Sequence, residues 1–320
     1  MSIKRVGIIT SGGDCPGMNA AIRSAVRTCL NDGLEPFAVY SGYKGLIEGH
    51  ILPMTSKDVA NTIQRGGTFL RSARSPEFKT EEGQKKALKH IADHNLDGFI
   101  IIGGDGSLTG ARCLYRDHGI PVVGIPGSID NDIYGTDMSI GVDTALNTIV
   151  NSIDMINETA SSHDRTFLIE VMGRNSGYLA LAGAVTAGAE AVLIPEVPFC
   201  LEDIINKIRK RYEEGKSRSI VIVAEGVGSA YDFGKAFELI GGFDTRITVL
   251  GHLQRGGSPS HFDRMLASRF GLAAVRQLVK EPGVMVGLHN TNVICTPLDE
   301  VLGKKKELDP DLLELAKVLS

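Results

Sequence analysis

The chain contains nine short runs of apolar residues, rich in Val, Ile and Phe, separated by longer mixed segments. Within a run the apolar residues follow one another and do not alternate with polar ones. This pattern predicts strands that are buried on both faces, as in parallel sheets covered by helices. The predicted strands are Val6–Ile9, Phe37–Tyr40, Phe99–Ile102, Val122–Ile125, Phe167–Val171, Ala191–Ile194, Ile220–Ala224, Ile247–Leu250 and Val284–Leu288.

The segments between these runs contain stretches that predict helices. The predicted helices are Met18–Leu30, Glu81–His94, Leu108–His118, Thr144–Asn157, Leu201–Glu214, Pro259–Val279 and Pro310–Leu319. Strands that alternate with helices indicate an α/β fold with doubly wound, mainly parallel sheets.

The segment Gly103–Ser107 lies between the run Phe99–Ile102 and the predicted helix Leu108–His118. Glycines let a backbone approach a phosphate closely, and a helix N-terminus points N–H groups at it. A carboxylate in such a place, Asp105, indicates a divalent cation between the carboxylate and the phosphates, and therefore a magnesium nucleotide. An ordinary strand-to-helix turn stays open as the alternative.

Polar segments follow six of the predicted strands, at the point where each strand ends. Because ligands of open α/β sheets bind at the carboxyl ends of the strands, we expect these segments to converge on one rim of a sheet. The segments are Thr10–Asp14, Gly103–Ser107, Pro126–Asp132, Met172–Gly177, Glu225–Gly226 and Gly251–Gly257.

Two kinds of residue occur at this predicted rim. Glycines with a carboxylate suit a nucleotide and its metal. Arg174, His252 and Arg255, with Arg165 and Arg246 as further candidates, suit a second anionic ligand, because guanidinium groups match phosphate oxygens. A kinase that acts on a phosphorylated small molecule needs both kinds.

Asp130 and Asp132 supply a third element, in the segment that follows Val122–Ile125. A hydroxyl that attacks a γ-phosphoryl group needs a positioned carboxylate to orient it and take its proton. Asn131, between the two aspartates, favours an Asx turn as the alternative interpretation.

Composition excludes several classes. A net charge of −4 gives no reason to expect nucleic acid or an acidic membrane as a partner. The five cysteines are dispersed without a C-x-x-C pair, which argues against a disulfide framework or a zinc site and favours a reducing cytosol. No run approaches the ~18–20 apolar residues that span a bilayer, so we expect a cytoplasmic protein. P-loop, protein-kinase and good G-x-G-x-x-G signatures are missing from the sequence.

Seven ordered motifs are spread along the chain: Thr10–Asn19, Gly66–Thr68, Gly103–Ser107, Pro126–Asp132, Gly135–Asp137, Met172–Arg174 and Gly251–Gly257. Together they resemble the bacterial ATP-dependent 6-phosphofructokinases along essentially the whole length. The resemblance implies transfer of the ATP γ-phosphoryl group to the C1 hydroxyl of fructose 6-phosphate, giving fructose 1,6-bisphosphate in glycolysis, with Mg²⁺ accompanying ATP.

The same resemblance implies roles for individual residues. Asp130 falls at the place of the catalytic base, Arg74 and Arg174 at those of catalytic cations, and Asp105 near magnesium. The implied nucleotide-binding residues are Gly13, Tyr43, Arg74, Ser75, Gly104, Asp105, Gly106 and Ser107. The implied sugar-phosphate-binding residues are Ser128, Ile129, Asp130, Arg165, Met172, Gly173, Arg174, Glu225, Arg246, His252, Leu253, Gln254 and Arg255.

The resemblance also implies an architecture. The family has two doubly wound, Rossmann-like domains with the active site in the cleft between them. Here a nucleotide-binding domain would comprise residues 1–140 plus 253–305, and a sugar-phosphate-binding domain residues 141–252 plus 306–320. In the family Arg165 and Arg246 reach across from a neighbouring subunit, so an oligomer, usually a homotetramer, is implied.

The phosphoryl donor depends on two glycines. Relatives that use pyrophosphate typically carry Asp at the place of Gly106 and Lys at the place of Gly127, and both glycines here favour ATP. A pyrophosphate-dependent phosphofructokinase and a non-catalytic nucleotide- or sugar-phosphate-binding subunit stay as alternatives. Lipid and dinucleotide kinases share the Gly-Gly-Asp-Gly motif but do not need the Met172–Arg174 and Gly251–Gly257 motifs.

A regulatory nucleotide site is the part where the chain departs most from the family pattern. The residues that could serve an anionic effector are Arg23, Arg27, Glu190, Lys216 and Arg218. Places that are usually basic hold Ser56, Asn157 and Glu214. The loss of three cations predicts weak or altered regulation by ADP and phosphoenolpyruvate. Without the resemblance, the alternative interpretation is that Arg23 and Arg27 lie on one solvated face of the first helix.

Overall fold

The computed structural model describes residues 3–160, 165–216 and 218–319 of the chain. It divides into two compact units. Unit 1 comprises Met1–Ser128, Ile133–Thr144 and Arg255–Lys306, and unit 2 comprises Ile129–Asp132, Ala145–Gln254 and Glu307–Ser320. The predicted α/β class with mainly parallel sheets is confirmed.

Unit 1 contains a seven-stranded sheet with the order β11-β10-β5-β4-β1-β2-β3. Its strands are β1 (Arg5–Thr10), β2 (Glu35–Val39), β3 (Ile51–Pro53), β4 (Gly98–Gly103), β5 (Val122–Pro126), β10 (Val284–His289) and β11 (Asn292–Pro297). The pairs β2–β3 and β10–β11 are antiparallel, and the other neighbours are parallel. Apolar side chains of β1 and β4 such as Ile9, Phe99 and Ile101 are fully buried in the core of this unit, as continuous apolar runs predict.

The helices of unit 1 are α1 (Met18–Asn31), α2 (Gly42–Glu48), α3 (Glu81–Asp93), α4 (Asp105–His118), α9 (His261–Lys280) and α10 (Leu298–Gly303), with a 3₁₀ turn at Glu77–Lys79. Helix α9 packs against α1. Gly271 makes this approach close, because a Cβ there would lie 2.6 Å from the Cβ of Ser24.

Asp263 organises the helix junction at Thr144. Its buried carboxylate accepts hydrogen bonds from the backbone N–H groups of Gly141 and Thr144, each at 2.8 Å, and from the Thr144 hydroxyl at 2.5 Å. The Asp263 N–H in turn donates to the hydroxyl of Ser260, which caps α9. One carboxylate therefore holds the start of helix α5 (Val142–Ala160) against the start of α9.

Unit 2 contains a parallel four-stranded sheet with the order β7-β8-β6-β9. Its strands are β6 (Arg165–Val171), β7 (Ala191–Leu193), β8 (Arg218–Ala224) and β9 (Thr245–Val249). Besides most of α5, its helices are α6 (Tyr178–Ala187), α7 (Leu201–Glu213), α8 (Ala230–Ala236) and α11 (Pro310–Leu319), with a π-helical turn at Phe237–Gly241 and a 3₁₀ turn at Gly251–Arg255 that ends at the first residue of a unit 1 segment.

The prediction that every strand is buried on both faces is wrong for β9. Val249 is 44% exposed, and only Thr245 of this strand is buried. The strand lies at one edge of its sheet, where it has a single neighbouring strand. Within the described residues, no helix combines the length and the apolar character needed to cross a membrane.

Candidate active site

A glycine turn joins β4 to α4 in unit 1. Gly104 is the N-cap of the helix, and Asp105 begins it with an exposed side chain. A Cβ added at Gly106 would meet no atom of the described residues within 4 Å, and one at Gly104 would meet only the Ser128 Cβ, at 3.9 Å. The helix N-terminus therefore opens onto free space beside a carboxylate, a surrounding that suits a phosphate accompanied by a cation.

Hydrogen bonds from neighbouring residues hold the backbone of this glycine turn in place. The Ser107 hydroxyl donates to the carbonyl of Ser11 at 2.9 Å, and the Tyr43 hydroxyl donates to the carbonyl of Ser107 at 2.6 Å. The Ser11 N–H donates to the carbonyl of Ile102 at 3.1 Å. Tyr43 is buried and stacks on Phe78, with ring centroids 4.3 Å apart, and burial raises the pKa of Tyr43 well above its usual range. Tyr43 and Ser107 therefore support the glycine turn. Their contact with a nucleotide stays a prediction.

Gly13 lies on the loop after β1, beside the guanidinium of Arg255. The Arg255 Nη1 donates to the carbonyl of Asp14 at 3.1 Å, and a Cβ at Gly13 would lie 3.2 Å from the Arg255 Cζ. The absence of a side chain at Gly13 therefore leaves space for the Arg255 guanidinium in unit 1.

The loop after β5 carries Gly127 and Ser128. The Gly127 N–H donates to the carbonyl of Gly103 at 3.0 Å, which ties this loop to the glycine turn. A Cβ at Gly127 would lie 3.2 Å from the Met18 Cε and 3.5 Å from the Cys15 Sγ. A side chain at this position would therefore require the Met18 Cε to shift slightly.

Arg74 and Ser75 lie on the segment before the 3₁₀ turn at Glu77–Lys79. The Arg74 side chain is exposed, and it makes no hydrogen bond or ion pair with the residues that the structure describes. Ser75 is half-buried. Arg74 is thus a cation whose charge no described carboxylate neutralises.

The catalytic candidate Asp130 belongs to the short segment Ile129–Asp132 of unit 2. Asp130 is 3% exposed, and Ile129 is completely buried. Asn131 has a φ of 50°, a left-handed conformation that Asn tolerates better than most residues. This conformation is compatible with the Asx turn that the sequence offers as an alternative, and the role of Asp130 stays a prediction.

In unit 2 the loop after β6 is held by two side chains. The Glu225 Oε1 accepts the N–H groups of Gly173 at 3.2 Å and Arg174 at 2.7 Å. The Gln254 Oε1 accepts the Met172 N–H at 3.1 Å, while its Nε2 donates to the carbonyl of Gly251 at 3.0 Å. The loops after β6, β8 and β9 therefore meet in unit 2.

The backbone of this loop is unusual. Gly173 has a φ of 143° and Arg174 a φ of 54°. Such conformations persist where surrounding bonds enforce them, and they cluster at ligand-binding loops. The Arg174 guanidinium is exposed and has no hydrogen bond or ion pair among the described residues, so it is available to an anion.

His252 and Leu253 are exposed on the 3₁₀ turn after β9, whereas Gln254 is completely buried. The predicted contacts of His252 and Leu253 with substrate are compatible with this exposure. Gln254 is placed to fix the loops, and the sequence pattern gave no sign of its burial.

The expectation of one common rim is wrong in two respects. The six strand ends are divided between two sheets, since β1, β4 and β5 belong to unit 1 and β6, β8 and β9 to unit 2. Arg165 begins β6 and Arg246 is the second residue of β9, so both lie at the amino ends of strands whose carboxyl ends carry Arg174 and His252. A strand of seven residues is about 20 Å long, which separates the two edges.

Arg165 and Arg246 instead share one carboxylate. The Arg165 Nε lies 2.9 Å from the Asp244 Oδ2, and the Arg246 Nη1 pairs with the Asp244 Oδ1. The hydrogen bond from Arg165, with the charge of Arg246, lowers the pKa of Asp244. One aspartate thus holds two guanidinium groups together with a net charge of +1.

The candidate effector residues are already partly engaged. Glu190 accepts hydrogen bonds from the Arg211 Nη2 and the Ile220 N–H, each at 2.6 Å, and Arg218 donates to the carbonyl of Asn157 at 2.8 Å. Lys216 is exposed.

The arginines of α1 differ in their surroundings. Arg27 is exposed, whereas burial and then the positive charge of Arg27 lower the pKa of Arg23. Two adjacent cations on α1 suit either an anion or solvent.

Sequence reasoning missed Glu170 as a support of the site. Its Oε2 accepts the N–H of Ala230 at 2.8 Å, and its carbonyl accepts the N–H of Leu250 at 3.1 Å. A carboxylate inside the otherwise apolar run Phe167–Val171 was the signal that could have found it.

The described residues contain no group of three or more His, Cys, Asp or Glu side chains that could hold a metal ion on their own. Mg²⁺ commonly binds through one or two carboxylates together with substrate phosphates and water. Asp105, exposed beside the open glycines, fits that mode.

Comparison with known proteins gives a family match. A family model described as phosphofructokinase matches residues 5–278. The ATP-dependent 6-phosphofructokinase of Halalkalibacterium halodurans is 51% identical over 319 residues, which cover 99% of this chain and 100% of the relative. That of Thermotoga neapolitana is 49% identical with the same coverage.

Among solved structures, the phosphofructokinase of Saccharomyces cerevisiae matches with a TM-score of 0.88 at 36% identity. The match covers 94% of this chain and 45% of the yeast chain.

Proposed function

This chain belongs to the phosphofructokinase family, and we propose that it is an ATP-dependent 6-phosphofructokinase. In the proposed reaction the C1 oxygen of fructose 6-phosphate forms a bond to the γ-phosphorus of ATP. The bond from this phosphorus to the bridging oxygen breaks, and ADP leaves. The proton of the C1 hydroxyl passes to a carboxylate. Identity of about half over the full length of the ATP-dependent relatives supports this reaction class.

The observation that carries the proposal is the glycine turn at the start of α4. Open space next to Gly104 and Gly106, an exposed Asp105 and a helix N-terminus together suit the phosphates of a nucleotide. We propose Asp105 as the residue that holds Mg²⁺, which when bound neutralises charge on the phosphate oxygens. The Arg74 guanidinium, which pairs with no residue that the structure describes, is the proposed cation for the transferred group.

Two glycines support ATP over pyrophosphate as the donor. The space beside Gly106 leaves room for a nucleotide, and a side chain there would point into that space. A side chain at the place of Gly127, where pyrophosphate-dependent relatives typically carry Lys, would be tight against Met18.

We propose that unit 2 supplies most residues of the sugar-phosphate side of the reaction, together with Arg255 of unit 1. Asp130 is the proposed base, and Arg174 and Glu225, with the loop at Gly173, are proposed to hold the sugar. His252 and Arg255 are the proposed partners of the 6-phosphate. The strained loop that Glu225 fixes supports a ligand-binding role for this region.

The Asp130→Ser variant tests the proposed chemistry. Removing the base should lower kcat by roughly 10²–10⁴-fold while KM for ATP changes little. Asp232→Ser serves as the matched control, because Asp232 is an exposed aspartate of the same unit. A coupled assay of ADP formation measures the rate, and circular dichroism checks that both variants keep the fold. Wild-type turnover in Asp130→Ser would refute the role of Asp130.

We also propose that the chain works as an oligomer, with a homotetramer as the expected form. The pairing of Arg165 and Arg246 at the amino ends of β6 and β9, away from Arg174, supports a role for these two cations in a neighbouring subunit.

Regulation by nucleotides is proposed to be weak. Glu190 is already bound by Arg211, and Ser56, Asn157 and Glu214 supply no positive charge. Saturation curves for fructose 6-phosphate with and without ADP test this, and strong activation by ADP would contradict it.

A further inference from the structure

Unit 1 contains an open cavity of about 660 Å³ that the proposed reaction does not use. It lies between α2, β3 and the segment around Phe69, and we call it the α2 pocket. Its lining includes Tyr40, Lys44, His50, Leu52, Phe69 and Arg71. None of its lining residues is a predicted nucleotide, sugar-phosphate or effector residue. Its volume falls within the roughly 300–1,000 Å³ of small-molecule sites.

The α2 pocket has a positive charge, that of Arg71, which no carboxylate among the described residues neutralises. Glu48 pairs with Lys44 at 3.7 Å and lies 3.4 Å from the His50 Nδ1. The Arg71 guanidinium, by contrast, is exposed and makes no hydrogen bond or ion pair with any described residue. A guanidinium with all its donors available suits a carboxylate or phosphate, which it can bind with two parallel hydrogen bonds.

Hydrogen bonds hold the backbone at Arg71 and at the neighbouring Ser41 in a fixed conformation. Arg71 and Ser41 both have a φ of 61°, a left-handed conformation that non-glycine residues rarely adopt. The Arg71 N–H donates to the carbonyl of Thr68 at 3.1 Å, and the Arg71 carbonyl accepts from the Thr10 hydroxyl at 2.9 Å. The Ser41 N–H donates to the carbonyl of Leu70 at 2.8 Å. These bonds orient the segment that carries the free cation, so less ordering is needed when an anion binds.

Apolar and aromatic groups line the rest of the α2 pocket. Leu52 is 57% exposed although it is a leucine, and Phe69 is only half-buried. Tyr40 and Ile51 also contribute to the lining. An apolar body next to a guanidinium defines the ligand as amphiphilic, with a charged end and an aromatic or aliphatic end.

We propose that the α2 pocket binds a small organic anion whose phosphate or carboxylate group pairs with Arg71 and whose aromatic body packs on Phe69 and Leu52. Because the Arg71 carbonyl accepts the Thr10 hydroxyl, the occupied pocket is linked to the loop that follows β1.

The first test locates the ligand directly, with 4-bromophenyl phosphate as the probe. Crystals of the full chain are soaked with the probe, and diffraction is recorded at the bromine absorption edge. The proposal predicts an anomalous peak beside Phe69 with the phosphate on Arg71. Bromine found only at other places would overturn the proposal.

The second test measures affinity in solution by calorimetry. Fructose 6-phosphate and a non-hydrolysable ATP analogue are present at saturation, so that their sites are filled. Arg71→Gln should raise the Kd for the probe by at least tenfold. Lys57→Gln, which removes an exposed cation outside the pocket, should leave the Kd within twofold of wild type.

Leu52→Glu provides a second variant should Arg71→Gln unfold. It adds a negative charge at an exposed position of the pocket and should also raise the Kd at least tenfold. Wild-type affinity in a folded Arg71→Gln or Leu52→Glu variant would refute the α2 pocket. This readout does not depend on turnover, so a failure of the proposed kinase activity would be distinguishable from it.

Discussion

Gly104 and Gly106 flank Asp105 at the start of α4, and neither glycine has a left-handed conformation. The backbone would therefore accept a side chain at Gly106 without strain. Since no described residue lies within 4 Å of a Cβ there, only a bound molecule would be disturbed. At this position the need for glycine comes from the ligand and not from the fold.

The Gly106→Asp variant tests this at the scale of one residue. Its free energy of unfolding should stay within about 0.5 kcal/mol of wild type, because the site is a solvent-facing surface position. Its kcat/KM for ATP should fall by at least about tenfold, because like charges repel in the phosphate site. Gly303→Asp is the matched control, since Gly303 also has open space around its Cβ. Urea denaturation and initial-rate kinetics give the two quantities, and an unchanged kcat/KM for ATP in Gly106→Asp would contradict the assignment.

At the scale of single residues, the chemical role of a side chain can be predicted from the sequence better than its contacts in space. Asp105 could be predicted as an exposed carboxylate at a helix start, because the glycine turn and the apolar strand before it are local features. The pairing of Arg165 with Asp244 could not be predicted, because Arg165 begins β6 while Asp244 directly precedes β9, and their contact depends on how these two strands pair. The burial of Gln254 likewise depends on the loop after β6.

At the scale of elements, one carboxylate holds two helix starts together. Asp263 is completely buried, and its hydrogen bonds satisfy N–H groups of Gly141 and Thr144 that the first turn of α5 leaves without partners. Burial raises the pKa of Asp263 despite these bonds. Burying the Asp263 carboxylate therefore costs desolvation energy, while its hydrogen bonds stabilise the start of α5.

The Asp263→Ala variant should be destabilised by roughly 3 kcal/mol, since it leaves buried N–H groups without acceptors. Asp93→Ala, at an exposed aspartate of α3, should change the free energy of unfolding by less than about 0.5 kcal/mol. Urea denaturation at neutral pH measures both. Equal stability of the two variants would show that Asp263 does not hold the junction.

The raised pKa of Asp263 adds a pH dependence. The folded state binds this proton more tightly than the unfolded state, so the contribution of Asp263 to stability is largest below about pH 4 and declines as pH rises through the raised pKa. Asp263→Asn cannot titrate there. The stability of wild type relative to Asp263→Asn should therefore decrease as pH rises from acid values, and an increase would contradict the shift.

Most elements could be predicted from periodicity because continuous apolar runs mark buried parallel strands. The nine predicted strands all exist, and no predicted end differs from the observed end by more than two residues. Helix α6 was missed because its sequence Tyr178–Ala187 is apolar on all sides and shows no helical period. The strands β3 and β11 pair antiparallel at the two edges of the larger sheet, and they lack the long apolar runs of the central strands.

At the scale of the whole molecule, the chain consists of two units that each carry part of the predicted site residues. Unit 1 contains Asp105 and Arg74, and unit 2 contains Asp130 and Arg174. The boundaries expected from the sequence, and the sharing of one reaction by both units, stay predictions. The division into units depends on contacts between residues that are far apart in the sequence. The local pattern of apolar and polar residues carries little information about such contacts.

Shared sites between subunits predict complementation. If Arg246 of one subunit serves the site of another, Arg246→Ala and Asp130→Ser should each be nearly inactive as pure proteins. When the two variants are unfolded together and refolded, mixed oligomers should regain measurable activity, because some sites receive both native residues. The same treatment of Asp130→Ser with Asp232→Ser provides the reference for mixing alone. A mixture of Arg246→Ala and Asp130→Ser no more active than its components would argue that each subunit works by itself.

The most direct test of the central claim is the identity of the phosphoryl donor and product. The purified chain is incubated with fructose 6-phosphate, Mg²⁺ and either ATP or pyrophosphate, and ³¹P NMR follows the phosphorus signals. We predict fructose 1,6-bisphosphate and ADP in equal amounts with ATP, and no sugar bisphosphate with pyrophosphate. Turnover with pyrophosphate alone, or no bisphosphate with either donor, would contradict the account.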